Sequence, residues 1–400
     1  MRLQAFFYLS GNLLQRIYPF AETFLLTALL SVEDFGRWSW ATSFYVGVLS
    51  FTHGGIPAAT LRYSALHPHQ AHSVLRRAIQ KLLPWMGGGL IVLFSLGWTV
   101  PEEVRWVTWA YLPALGATLI GETIRSHLRG RLDDKTILLW QLSSSLLGLL
   151  LTGTLGGLYG LRGAALSRAL QPLWGIAPVG GLLWRAWQAP SKAFPGFGRF
   201  GWIALWGNVA MEGVFVLPVW FLGWRGGSEI LIAHWRWATL LPLSLRSVLA
   251  QIILYFYPIW TQRRASPWQI YRSLWPLLHG LGLSGALLLA AAGMFWETFP
   301  GRAYLAARPY YWVAILNGYL WSTEALALPN ILSSKGYIAY FSGAYLGALG
   351  VAVLLYSTAG SNLWIYLAGL GAAGGTAGVI AGWYAYQMRG NTHSKGSPDS

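Results

Sequence analysis

The stretch GYIAYFSGAYLGALGVAVLLYS at 336–357 runs for 22 residues without a charge. A helix rises about 1.5 Å per residue, so such a run matches a bilayer hydrocarbon core of about 30 Å. Comparable stretches recur along the chain. Twelve spans are expected near 5–30, 38–60, 82–100, 106–127, 136–158, 163–184, 200–222, 230–258, 273–295, 309–332, 336–357 and 362–386. No segment alternates as a barrel strand would, and in lipid a helix satisfies its own backbone, so each span is read as a helix. Composition agrees: 10% of the chain is charged, against about 25% in a soluble domain. The expected fold class is therefore all-α and polytopic in a membrane. The amino-terminal apolar run continues through Leu30 with Arg16 and Glu22 inside it, so it reads as a first span rather than a cleaved signal. Prolines inside spans (Pro19, Pro113, Pro178, Pro218, Pro242, Pro276) are expected to kink them. There is no cysteine, so no disulfide or redox compartment is readable.

The chain also repeats itself. Trp38-Ser39-Trp40-Ala41-Thr42 returns as Trp235-Arg236-Trp237-Ala238-Thr239, 197 residues later in a chain of 400. Gly11-Asn12 is echoed by Gly207-Asn208, Pro19 by Pro218, and Glu122 by Glu324. Six spans separate the copies, an even number, so both halves enter the membrane in the same direction. Parallel repeats related by an axis along the membrane normal are a transporter design. The expected organisation is a six-helix half at 1–190, a second at 191–388 and a disordered cytoplasmic tail at 389–400. Two such bundles facing each other are expected to enclose a cavity and rock about it.

Sidedness follows from the basic residues. With the amino terminus in the cytoplasm, 18 of the 28 Lys and Arg fall in cytoplasmic loops and tails. Arg37, Arg105, Arg162, Arg225, Arg302 and Arg308 fall outside, and Arg16, Arg168, Arg236 and Arg246 lie within spans. This bias places both termini in the cytoplasm. It also explains most of the +15 net charge, which would attract anionic lipid head groups. The basic residues are dispersed over alternate loops, which argues against nucleic acid as a partner. Trp38, Trp98, Trp106, Trp224, Trp296 and Trp312 cluster at the expected outer ends, where an aromatic belt belongs.

LLSVEDFGRWSWATSF (29–44) and GGIPAATLRY (54–63) resemble the first outer turn and second-helix end of the polysaccharide (Wzx-like) flippases of the MATE/flippase superfamily. His53 stands where that family usually carries Asp or Asn. The motif likeness covers roughly residues 10–65. It implies a carrier in the bacterial inner (cytoplasmic) membrane that moves an undecaprenyl-diphosphate-linked oligosaccharide from the inner to the outer leaflet. Its implied partners are the bilayer, the polyprenyl-diphosphate-linked glycan, and the glycan polymerase and glycosyltransferases of the same pathway.

Charges inside spans are the expected working parts, because each costs at least about 2.5–3.5 kcal/mol to insert. On span 1, Asn12, Gln15, Arg16, Pro19, Glu22 and Thr23 share one helical face. Asn208 and Glu212 share a face in span 7, and the repeat sets Arg16 opposite Glu212. Arg16 and Arg246 are read as cavity residues that grip the diphosphate, with Asn12 and Asn208 beside them. Alternatively, Arg16 and Glu212 form a structural ion pair. Arg62 is either an anchor or a phosphate-facing portal. Glu22, Glu212, Glu324 and Glu122 are carboxylates for ion coupling or for structural pairing, and Glu122 stands three residues from Arg125. Arg168 and Arg236 are expected to snorkel to head groups. The His67, His69 and His72 group reads as a solvated loop rather than a metal site, and no cofactor is expected. No Walker, zinc-protease or Gly-x-Ser-x-Gly motif appears. No loop is long enough for a glycan polymerase or ligase, so an enzyme is not expected. A MATE-type cation/drug antiporter is the alternative to the flippase.

Overall fold

The computed structural model describes Ser10 and residues 18–262, 265–296 and 302–390. The expectations for Asn12, Gln15 and Arg16, and for the tail from 391 onward, lie outside these residues. Among the described residues every regular element is a helix and there is no strand.

The helices are α1 (described over 18–29), α2 (Val32–Thr52), α3 (Ile56–Leu66), α4 (Ala71–Gly97), α5 (Glu102–Gly130), α6 (Asp134–Ile176) and α7 (Gly180–Gln188). They continue as α8 (Phe197–Trp224), α9 (Glu229–Gln262), α10 (Pro267–Met294), α11 (Arg308–Ser322), α12 (Glu324–Ser334), α13 (Ile338–Thr358) and α14 (Leu363–Gln387). Among the described residues, seven helical stretches are long and apolar enough to cross a membrane. One contains α6, which supplies two of the expected spans. Its limbs turn back on each other at Gly160 (φ 56°, ψ −134°), a backbone conformation that belongs to glycine. The limbs are tied by the Trp140 indole to the Gly175 carbonyl, by Gln171 to the Ser144 carbonyl and by Thr152 to Ser167.

Helices continue through Pro113, Pro218 and Pro276. The interruptions fall instead at Gly54–Gly55, which divides the second expected span into α2 and α3, at Pro178, and at Thr323, which divides the tenth into α11 and α12. Gly55 has φ +65°, and a Cβ there would stand 1.7 Å from the Gly201 carbonyl oxygen. Only glycine lets the break approach that backbone. Gly55→Ala is therefore expected to destabilise by more than the roughly 1–3 kcal/mol of an unfavourable backbone angle alone. Gly201→Ala is the control, since its Cβ would meet Gly54 and Gly55 at an ordinary 3.5 Å. Thermal unfolding of the two variants in detergent checks this.

Two compact units comprise Met1–Leu205 and Trp206–Ser400, the boundary falling within α8. In the first, α5 packs against α2, α3, α4 and α6. The segment after residue 189 is held to the same unit: Arg76 donates to the Ala189 carbonyl, and the Tyr63 hydroxyl donates to the Pro195 carbonyl (2.5 Å). In the second unit, α9 packs against α10, α11 and α12, while α14 covers α11, α12 and α13.

The repeated pentapeptide begins six residues into α2 and six residues into α9. In each unit it is core: Trp38, Trp40, Ala41 and Thr42 are buried, as are Trp235, Trp237, Ala238 and Thr239. Ser31 and Ser228, also 197 apart, each accept a backbone N–H at the start of the helix that follows. The aromatic-belt expectation needs correction. Trp98, Trp106, Trp224 and Trp312 are exposed, but Trp38 and Trp296 are buried. The Trp296 indole donates to the Tyr304 carbonyl (2.9 Å), so it fixes the 302–307 turn instead of meeting head groups.

Candidate functional site

Within apolar helices each ionised group needs a partner, and the four carboxylates singled out in the sequence all have one. Glu22 on α1 is 1% exposed and lies 3.0 Å from Arg168 on the second limb of α6. It also accepts from the Tyr18 hydroxyl (3.0 Å) and from Thr152 (3.4 Å). The Arg168 guanidinium sits over the Tyr18 ring, 5.7 Å from its centroid. The expectation that Arg168 snorkels outward is therefore corrected: a buried carboxylate holds its head group inside the unit. Glu122 pairs with Arg125 one turn along α5, and Arg125 lies over the Trp140 ring.

In the second unit Glu212 on α8 accepts from Arg246 on α9 (2.8 Å), and Arg246 caps the face of Phe215 at 4.1 Å. The partner the structure gives Glu212 is thus Arg246, and Asn208 is half-buried one turn away on the same helix. The fourth pair was not visible among the Lys, Arg, Asp and Glu of the spans. His279 Nε2 in α10 stands 3.0 Å from Glu324, the first residue of α12 after the Thr323 break. The other ring nitrogen, Nδ1, is 2.7 Å from the Tyr319 hydroxyl. Glu324 also accepts from Thr323 (2.5 Å) and Tyr271 (3.5 Å). A histidine inside the expected span 273–295 was the available signal.

The first unit holds a partly open pocket of about 300 Å³ between α1, α2, α5 and the two limbs of α6. Arg168, Glu122 and Arg125 line it, with Trp140, Gln141 and Gln171. Tyr45 and Tyr111 form part of the wall as a stacked pair (4.7 Å). Their hydroxyls are engaged within the unit, Tyr45 donating to Thr118 (2.6 Å) and Tyr111 bonded to Thr42 (2.7 Å). Arg62 lies elsewhere in the unit, over the Phe200 ring at 5.1 Å. His67 and His69 are exposed, His67 resting on Phe194. Among the described residues no group of three His, Cys, Asp or Glu is placed to hold a metal ion.

No family model matches the sequence, and no curated protein matches it. Solved structures do match, over nearly the whole chain. The eukaryotic MATE transporter AtDTX14 is 12% identical with a TM-score of 0.70, covering 97% of each chain. The MATE multidrug transporter DinF-BH, solved as a complex with a bound ligand, is 13% identical with a TM-score of 0.70, covering 98% of this chain and 96% of its own. A MATE in complex with MaL6 is 11% identical with a TM-score of 0.72, covering 97% and 95%. The fold is that of the MATE transporters. A twelve-helix, two-repeat fold of this kind agrees with the all-α architecture in two halves expected from the sequence.

Proposed function

We propose that this chain is a multi-pass transporter working by alternating access, and that its cargo is an undecaprenyl-diphosphate-linked oligosaccharide carried from the inner to the outer leaflet. The observation that carries the first part is the whole-chain likeness to MATE transporters. The cargo is supported by the resemblance of 29–44 and 54–63 to polysaccharide flippases, and by the basic residues at the expected cytoplasmic ends. In this reading Arg16 and Arg246 face the diphosphate with Asn12 and Asn208 nearby, Arg62 stands at the portal, and the chain resides in the bacterial inner membrane beside glycosyltransferases and a polymerase. A guanidinium suits this task because its five donors allow it to hold a carboxylate and a phosphate oxygen together.

A second reading has its own observation in its favour. The His279–Glu324 pair lies at a helix break, and an intramembrane ionisable pair is a default site for proton-linked function. That arrangement suits a cation/drug antiporter. Deleting the gene separates the two. The flippase reading expects lipid-linked glycan to accumulate on the cytoplasmic face, protected from glycosidase added to spheroplasts. The antiporter reading expects unchanged glycan exposure and heightened sensitivity to lipophilic cations.

Sidedness is open to a direct test, because the chain has no cysteine of its own. Ser31 and Ser228 are exposed at matching places in the two units. Ser31→Cys and Ser228→Cys are both expected to react with an impermeant maleimide added outside intact cells. Labelling of the two from opposite sides contradicts the parallel-repeat topology.

A further inference from the structure

We propose that the end of the first unit expected in the cytoplasm carries a site for the phosphate head group of an anionic membrane lipid. Three stretches far apart in sequence meet there around a partly open pocket of about 390 Å³. They are residues 68–73 at the start of α4, Arg131 just after α5, and Ala189, Pro190 and Lys192 just after α7.

The lining has one sign of charge. Arg131, Lys192, His69 and His72 contribute to it, and no carboxylate does. Asp133, the acidic residue nearest to Arg131 in sequence, caps α6 by accepting the Thr136 backbone N–H. Arg131 and Lys192 are both exposed, so a ligand arriving from outside can reach them. Ala71, His72 and Ser73 make one wall from the first turn of α4, a turn with no acidic residue and no side-chain cap. The positive end of that helix therefore adds to the basic side chains. A phosphate suits this set, because its oxygens accept from guanidinium, ammonium and imidazole alike.

The surroundings point to a lipid phosphate. The apolar stretch Lys135–Gln188 ends in α7, whose Trp184 and Trp187 are 64% and 54% exposed. Indoles at the end of a span mark the level of the head groups. Arg76 joins them to the pocket: it lies over the Trp187 ring (5.8 Å) and donates to the carbonyl of Ala189 in the pocket wall. Basic pockets at the cytoplasmic ends of membrane helices recognise anionic head groups in this way. Dispersed positive charge would attract the same lipids without giving them a fixed place.

The test titrates the full chain, purified in a neutral detergent, with phosphatidylglycerol and reads bound lipid by native mass spectrometry. Phosphatidylglycerol is expected to bind more tightly than phosphatidylcholine, and inorganic phosphate at the same concentration should not displace it. Arg131→Gln with Lys192→Gln should weaken binding about thirty-fold, the loss for two basic residues beside an anionic head group. Lys81→Gln with Arg199→Gln removes the same charge from exposed positions of the unit outside the pocket, and should weaken it less than about three-fold. Melting temperatures without lipid show that the variants are folded, and Lys192→Gln alone, at an exposed position, should still weaken binding about five-fold. Equal losses in the two double variants overturn the proposal, as does phosphatidylcholine binding as tightly as phosphatidylglycerol, or displacement by inorganic phosphate. Undecaprenyl diphosphate, titrated separately, distinguishes the source of the phosphate. If it outcompetes phosphatidylglycerol and loses that advantage in the pocket variant, the site stands and its lipid is the polyprenyl carrier.

Discussion

Arg168→Met is expected to destabilise the protein by about 3–5 kcal/mol, the usual consequence of leaving a buried charge without its partner. Glu22 is 1% exposed, and its remaining partners, the Tyr18 and Thr152 hydroxyls, donate hydrogen bonds but carry no charge. Adding Glu22→Gln should return most of the loss, because the pair is then replaced by neutral groups that Tyr18 and Thr152 still bond. The half-buried Arg37–Asp34 pair on α2 serves as the comparison: Arg37→Ala should cost less than Arg168→Met, because both of its side chains still reach solvent. Thermal unfolding of the three variants in detergent gives the answer. An Arg168→Met protein as stable as the parent means that Glu22 is hydrated or neutral, and the pair is then no structural element.

The second large effect is on transport. Arg246→Ala should lower glycan export by roughly two orders of magnitude, in line with about 2–5 kcal/mol for truncating one partner of a buried charge pair. Arg246→Lys should restore part of it, since lysine keeps the charge and loses the planar fork. The double change Glu212→Ala with Arg246→Ala separates two roles for the same ion pair. If Arg246 also holds the diphosphate, the double variant regains stability without regaining export. Export restored in the double variant makes Arg246 a structural partner only. Export is read as surface glycan at matched membrane abundance.

The helices were readable from the sequence because apolar run length decides where a chain crosses a bilayer. The expected spans 200–222 and 230–258 became α8 at Phe197–Trp224 and α9 at Glu229–Gln262. The repeat was readable for a similar reason: Trp38 and Trp235 share a place in their helices because both fill the core of their units. The helix breaks were not readable. Proline is a conspicuous marker of a break, yet α5, α8 and α10 continue through theirs, and the second and tenth spans divide at Gly54–Gly55 and Thr323. Nor does hydropathy separate a tryptophan at the membrane interface from one in the core, which is why Trp38 and Trp296 departed from the belt.

Charge pairing followed the same division. Glu122 and Arg125 are neighbours on one helical turn, so their spacing declares the contact. Arg168 and Glu22 meet only because the α6 limbs fold back beside α1, and Arg246 meets Glu212 across two helices. Such partners are a property of packing, which a linear pattern does not encode. His279 was overlooked because histidine is not counted with the fixed charges, although its place midway along α10, beside Glu324, is as unusual for a membrane helix as an arginine would be.

The most direct measurement of the central claim is translocation by the purified protein in liposomes. Undecaprenyl-diphosphate oligosaccharide with a fluorophore on its glycan is distributed in both leaflets, and an impermeant glycosidase is added outside. The account predicts that the protected inner-leaflet fraction disappears in vesicles holding the protein, and persists in empty vesicles and in those holding Arg246→Ala. A protected fraction that persists with the parent protein, while the same vesicles take up ethidium against an imposed proton gradient, would contradict the flippase reading and establish the antiporter.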